Sequence, residues 1–250
     1  MKERPIPFST PMVLALLAGK KSQTRRIMKR QLGGAVLEGD PGKSCFTPDG
    51  MLSVRGRAED GELGEWFLKC PFGMPGDRLW VREPWWTARS LDNCKPSLIS
   101  EGDTVIYQAD WVHRGQPDEP GRYRHARFMC RWMSRLTLEV TEVRVQRLHN
   151  ISDADAIAEG VEPTESVKRW SVFREDGSCV SVGVEPVRGQ DCGGMTVRDY
   201  VLERDIPGFN FFGASTAKDN YSRLWDSING SGSWDANPWC WAISFHRATP

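Results

Sequence analysis

The sequence predicts an α+β protein, a small β-barrel with short helices at its ends. Several short segments alternate apolar and polar residues with period two, and three others carry helix caps around apolar residues at helical spacing. Strands and helices do not follow one another in a βαβ series, which argues against a parallel α/β sheet. There is no internal repeat or low-complexity tract. A single domain over residues 1–250 is therefore expected, with insertions at 31–76 and 161–213 where periodicity is weak.

The first helix is expected from Thr10 as N-cap, with Pro11 at its first position, Met12, Val13, Leu16 and Leu17 as apolar face, and Gly19 closing it. Within the first weakly periodic stretch, Thr47-Pro48-Asp49-Gly50 predicts a hairpin. Pro75-Gly76-Asp77 is a turn, and Arg78 to Glu83 then alternates as a strand. A second strand is expected at Thr104–Gln108, with Trp85 and Trp86 in the stretch between. From Arg135 to Leu148 the period is two with one slip at Thr141-Glu142, which predicts a long bent strand or two strands joined by a bulge. Ser152 with Asp155 three residues on opens a short helix that runs through Glu159 to Gly160. Ser215 or Thr216 caps a helix with Tyr221, Leu224, Trp225 and Ile228 as its buried face. The last strand places Trp239, Trp241, Ile243 and Phe245 on one side.

Composition narrows the function classes. Lys and Arg together number 33, as do Asp and Glu, so a polycation that binds nucleic acid by bulk charge is excluded. The balance is nonetheless local: residues 20–30 hold Lys20, Lys21, Arg25, Arg26, Lys29 and Arg30, whereas 151–165 hold acids and no Lys or Arg. Seven cysteines without a C-x-x-C pair and four scattered histidines predict reduced thiols, no metal site and no cofactor. The apolar run from Met12 to Ala18 is too short for a membrane span, so a cytoplasmic protein without membrane contact is expected.

Lys21 and Thr24 form the first chemically suggestive pair. A buried lysine among cations becomes a base, and a threonine hydroxyl needs such a base to act as nucleophile. Residues three apart face opposite sides of a regular strand, so the pairing requires an irregular backbone there. The same run reads equally as a solvated basic edge, and Glu159 as a surface acid. Trp225 and Trp241 fall on apolar faces and read as core, whereas Trp86 and Trp234 lie between elements and could pack or stack on a base. Asp226 could bond a base edge or cap a turn, as could Asn237 ahead of Pro238.

The run Gly19-Lys20-Lys21-Ser22-Gln23-Thr24-Arg25-Arg26 resembles the G-x-K-x-x-(E or T)-x-R element of the ASCH family. Pro75 to Glu83 and Trp239 to Phe245 are similar to two further strands of that family, in the same order. The whole chain is similar to its larger, phage- or prophage-encoded members. The resemblance implies a PUA-like barrel and a partner that is RNA, modified DNA or a modified nucleoside. Small bacterial N4-acetylcytidine amidohydrolases of the family use a lysine, a threonine and a glutamate, which the resemblance carries onto Lys21, Thr24 and Glu159. The alternative is a non-catalytic binding module, in which Lys20, Lys21, Arg25, Arg26, Lys29 and Arg30 contact phosphate and Trp86, Trp234 or Asp226 meets a base. No feature identifies a protein partner.

Overall fold

The computed structural model describes residues 1–33, 35–37, 45–114, 120–162, 170–173, 179–183, 196–199 and 216–248. In chain order the elements are β1 (Glu3–Pro7), α1 (Thr10–Leu17), β2 (Gln23–Ile27), β3 (Val36–Leu37), β4 (Cys45–Phe46), β5 (Leu52–Arg57), β6 (Leu63–Leu68) and β7 (Arg78–Arg82). There follow β8 (Trp85–Trp86), β9 (Ile106–Tyr107), α2 (Gln108–Arg114), β10 (Thr137–Arg147), α3 (Asp153–Ala158), β11 (Trp170–Phe173), β12 (Cys179–Gly183), β13 (Thr196–Asp199), α4 (Ala217–Asn229) and β14 (Trp239–Arg247). The protein is α+β. Among the described residues no helix is long and apolar enough to cross a membrane.

The central sheet has the order β1-β7-β10-β14-β2, parallel between β1 and β7 and antiparallel elsewhere. β10 is long because its bulge, between Val140 and Glu142, bends it without ending it. Ile6, Leu79, Val140, Val143, Trp241 and Ile243 bury one face of the sheet against α1. Cys240 faces the other way, into a smaller core with Leu148 just after β10, Ala156 of α3, and Tyr221 and Trp225 of α4. β14 is thus covered on both faces, which accounts for its nearly continuous apolar sequence.

The expected closed barrel is not formed: the central sheet remains open, with β1 and β2 as its edges. Proline parity supplies the reason. Phe8 N–H donates to Arg82 O at 2.9 Å, so even-numbered residues of β1 point their amides toward β7. Pro5 and Pro7 have the opposite parity and face the outer edge, where they offer no donor for another strand. One side chain spans the gap instead, with Arg26 Nη2 donating to the outward-facing Pro7 O at 2.6 Å.

Other differences are local. Ser9 rather than Thr10 is the N-cap of α1, because the Thr10 hydroxyl donates across to Gln108 Oε1 at 2.8 Å. The strand expected at Thr104–Gln108 shrinks to β9, and Gln108 begins the unanticipated α2. Residues 36–68 carry β3 to β6 as a sheet of their own, including the expected hairpin, with Gly50 N–H donating to Thr47 O at 2.8 Å. Much of 161–213 lies outside the described residues, which there comprise the three-stranded sheet β12-β11-β13. Ile228, expected on the buried face of α4, is 59% exposed, while Tyr221 and Trp225 are buried.

Two helix ends position the site. At α1, Gly19 N–H donates to Leu16 O and Lys20 N–H to Ala15 O, with Gly19 at φ 70°. At α3, Gly160 N–H donates to Ile157 O and Val161 N–H to Ala156 O, with Gly160 at φ 91°. These are the same glycine-capped closure. Ser22 N–H then donates to Ala158 O at 2.8 Å and stitches the two ends together.

The two glycines should differ in tolerance. A Cβ at Gly19 meets nothing within 4 Å, whereas at Gly160 it would approach Ala15 Cβ at 3.1 Å and Lys21 Cβ at 3.4 Å. Gly19→Ala should cost only the left-handed backbone strain, about 1–2 kcal/mol. Gly160→Ala should cost more, and equal urea midpoints for the two variants would contradict this packing.

Candidate functional site

A pocket opens at the free edge of β2, between the start of α1 and the faces of α3 and α4, and encloses about 150 Å³. Lys21, Thr24 and Glu159 all line it. Because β2 is an edge strand, side chains of both parities reach the space, Thr24 from one face and Arg25 from the other. Phe8 and Met12 supply an apolar wall, and Tyr221, Leu224 and Trp225 of α4 supply the opposite one.

Lys21 lies between the glycine closure of α1 and the first residue of β2, so the backbone between it and Thr24 is not regular strand, and both residues line the pocket. Its amine is buried and donates to Glu159 Oε2 and to Glu159 O, both at 2.8 Å. The second acceptor is one of the carbonyls left over at the end of α3. Burial lowers the Lys21 pKa below its ordinary 10.5; the Glu159 charge opposes this, and Arg26 and Arg25 add to the lowering. Two of the hydrogens on Lys21 Nζ are thus directed at Glu159.

Glu159 is held on its other oxygen by the Tyr221 hydroxyl at 3.3 Å and by Arg25 Nη1 at 3.5 Å. Burial, with the Glu159 charge adding to it, raises the Tyr221 phenol well above 10, so it stays protonated and donates. Arg25 is itself enclosed, donating to Gln23 Oε1 at 2.5 Å and to Asp155 Oδ2 at 2.7 Å. Burial works to raise the Asp155 carboxyl, but Arg25 and Arg144 outweigh it and hold it below its usual range. Two buried donors at the pocket, Arg26 Nε and Trp225 Nε1, have no acceptor among the described residues.

The basic run is divided by the fold. Lys21 and Arg25 are buried in ion pairs, and Arg26 lines the pocket with its guanidinium 5.2 Å from the Phe8 ring centre. Lys20 pairs with Glu162 at the surface at 2.7 Å. Lys29 and Arg30 are exposed beyond the far end of β2 and do not line the pocket.

The tryptophans divide as well. Trp86 is buried, lies outside the pocket and stacks on Trp111 at 3.9 Å. Trp234 packs on His149 at 4.8 Å beside α4, also outside the lining. Trp225, expected as core, is both core and pocket wall. Asp226 organises a turn, accepting from Trp234 N–H at 2.7 Å and Ser233 Oγ at 3.0 Å, and Asn237 likewise accepts from His149 N–H at 2.8 Å.

Sequence reasoning missed Tyr221 and Asp155 as parts of the site. Tyr221 stood on the apolar face of α4, where only its hydroxyl distinguished it from a core ring. Among the described residues no group of side chains is arranged to hold a metal ion. Cys240 is the thiol nearest in sequence to the α4 wall, and burial pushes it up to about 12, so it supplies no thiolate at neutral pH.

This arrangement makes Glu159 the shared anion of two buried cations. Glu159→Ala should therefore destabilise by about 3–5 kcal/mol, because Lys21 and Arg25 would lose their partner. Tyr221→Phe removes one hydrogen bond and should cost about 1 kcal/mol. Urea unfolding distinguishes the two, and similar losses would show that the carboxylate is not the hub. No family model, curated protein or solved structure gives a match to this chain.

Proposed function

We propose that the chain is an amidohydrolase that removes an acyl group from the exocyclic amine of a cytosine-like base, with N4-acetylcytidine as the model substrate. The observation that carries this reading is the buried Lys21 amine, which gives two hydrogen bonds to Glu159 while Thr24 lines the same pocket. A lysine serving only as a counter-ion gains nothing from such desolvation. A general base does, because burial lowers its pKa toward the working range.

The residues divide the reaction as follows. The Lys21 lone pair takes the proton of the Thr24 hydroxyl, and the freed oxygen attacks the acyl carbon. As the tetrahedral intermediate collapses, the carbon–nitrogen bond breaks and the ammonium of Lys21 returns its proton to the departing amine. Water, deprotonated by the same lysine, then cleaves the acyl-threonine to release the carboxylic acid. Where Thr24 instead positions the water, one displacement replaces two and Lys21 keeps its role. Glu159 orients the amine throughout and offsets its charge when protonated, and Tyr221 and Arg25 hold Glu159 in place.

The pocket suits one small planar group. Its volume lies below the roughly 300–1,000 Å³ of sites for drug-sized ligands. Phe8 and Trp225 offer rings to a base, and the cationic surroundings of the site favour the oxyanion that forms on the acyl oxygen. Burying Lys21 and Arg25 in ion pairs removes two of the six cations that a phosphate-binding patch would use, which weighs against the purely non-catalytic alternative.

Incubation with N4-acetylcytidine should yield cytidine and acetate, followed by chromatography. Lys21→Ala and Thr24→Ala should each lose about 10²–10⁴-fold in kcat/KM. No turnover by the wild type, or turnover unchanged in both variants, would refute the assignment.

The pH profile gives a second check. A base acts when deprotonated, so kcat/KM should rise with pH through a midpoint below 10.5, the ordinary lysine value that burial lowers. Between the folded and unfolded pKa values the unfolded chain binds the extra proton, so this group's contribution to stability also increases with pH across that window. Lys21→Arg, which cannot deprotonate there, should abolish the rising limb.

A further inference from the structure

Residues 120–135 contain Arg122, Arg124, Arg127, Arg131 and Arg135 and no acid, interleaved with Tyr123, Phe128 and Trp132. Arg131 and Arg135 are paired, with Glu3 and with Glu83 and Asp110 respectively, and Arg124 is buried. Arg122, Tyr123, His125, Arg127 and Phe128 are exposed, Tyr123 by 42% and Phe128 by 49%. Single exposed aromatics need no explanation, but two rings alternating with cations on a rigid support do.

The support is visible in the contacts. The segment is fixed to the β8 region by bridges from Trp85 to Arg124 and from Ala88 to Pro120. Tyr123 is held edge-on by Trp86 at 5.0 Å, itself stacked on Trp111, and by His125 at 4.9 Å. The Arg127 guanidinium already lies over the Phe128 ring at 4.9 Å. These rings are therefore ordered before any ligand arrives.

The geometry points to this face as a binding platform for single-stranded polynucleotide, with bases stacking on Tyr123 and Phe128 and phosphates meeting Arg122 and Arg127. Paired bases hide the faces such rings need, whereas single strands expose them. The platform is tied to the pocket wall: Arg127 O accepts from Arg82 Nη1 at 3.0 Å, and Arg82 is the register partner of Pro7, which lines the pocket. Resting on the hydrolase reading, this makes the substrate a modified base within a strand, with flanking nucleotides on the platform.

The test is fluorescence anisotropy with labelled single strands of about twelve nucleotides, as RNA and as DNA, and with the matching duplex, across a salt series. Wild type should bind single strands more tightly than duplex, and the tighter of the RNA and DNA arms identifies the natural strand. Tyr123→Ala/Phe128→Ala should weaken binding about tenfold or more. Arg122→Glu/Arg127→Glu should also weaken it, and should make the log–log salt slope shallower by about 1.4, at about 0.7 per phosphate contact. All four side chains are exposed, and unchanged melting curves would show that the variants fold. Lys21→Ala should keep strand binding, and the platform variants should keep turnover of the free nucleoside. Absent binding, preference for duplex, or binding indifferent to both double variants would overturn the platform and leave the hydrolase assignment intact. Strand binding without turnover of any acylated base would overturn the assignment and leave the platform.

Discussion

The contact between the Lys21 amine and Glu159 is the constraint from which the rest of the site follows. Two charges at 2.8 Å and almost wholly buried are expensive to desolvate, and such a pair is weak evidence of added stability. It persists because the surroundings fix both partners. Lys21 follows a glycine-capped helix end, Glu159 terminates the next one, and the Ser22 to Ala158 backbone hydrogen bond locks the two together. Arg25 and Tyr221 then occupy the second carboxylate oxygen. The geometry is over-determined by backbone, not left to two flexible side chains, and that is what preorganisation of a base requires.

The pocket owes its existence to an edge. Had β1 and β2 zipped together, the space beside Thr24 would hold ladder hydrogen bonds. Pro5 and Pro7 prevent this by removing the amides that would face the gap, while leaving carbonyls there for Arg26 to reach. An unpaired strand is an aggregation hazard, and here α1, α4 and one arginine side chain cover it. The same feature lets one strand present Thr24 and Arg25 to a common volume although they point to opposite faces.

Local signals in the sequence were legible, and long-range pairing was not. The slip at Thr141-Glu142 marked the bulge, Ser152 and Thr216 marked helix starts, and Gly160 marked an end, because each depends on residues within a few positions. Opposed charge in residues 20–30 and 151–165 foreshadowed the meeting of Lys21, Arg25 and Arg26 with Asp155 and Glu159. What the sequence could not separate was the fate of each cation. Lys20 and Lys21 are adjacent and chemically alike, yet one pairs in solvent and the other is buried. That difference arises from the direction of the chain as it leaves Gly19. The open sheet was also hidden, since it depends on the pairing parity of Pro5 and Pro7, which is defined only once β7 is known as the neighbour of β1. Of β3 to β6 only the β4–β5 hairpin was marked, by its Thr47-Pro48-Asp49-Gly50 turn; the strands themselves bury few side chains, Leu52 and Leu68 among them, so no run of buried apolar residues announced them.

The same sheet distributes the tryptophans. Trp239 and Trp241 anchor its inner face, and Trp225 closes the pocket from α4. Trp85 and Trp86 begin just beyond the end of β7, where they carry the segment that holds Tyr123. β7 therefore touches both regions, since its Arg82 pairs with Pro7 at the pocket rim and donates to Arg127 O beneath the exposed rings. Parallel pairing with β1 matters here, because it sends both strands out of the sheet in the same direction, one into α1 beside the pocket and the other into the aromatic segment. An antiparallel partner would have carried that segment to the opposite end of the sheet, away from Lys21.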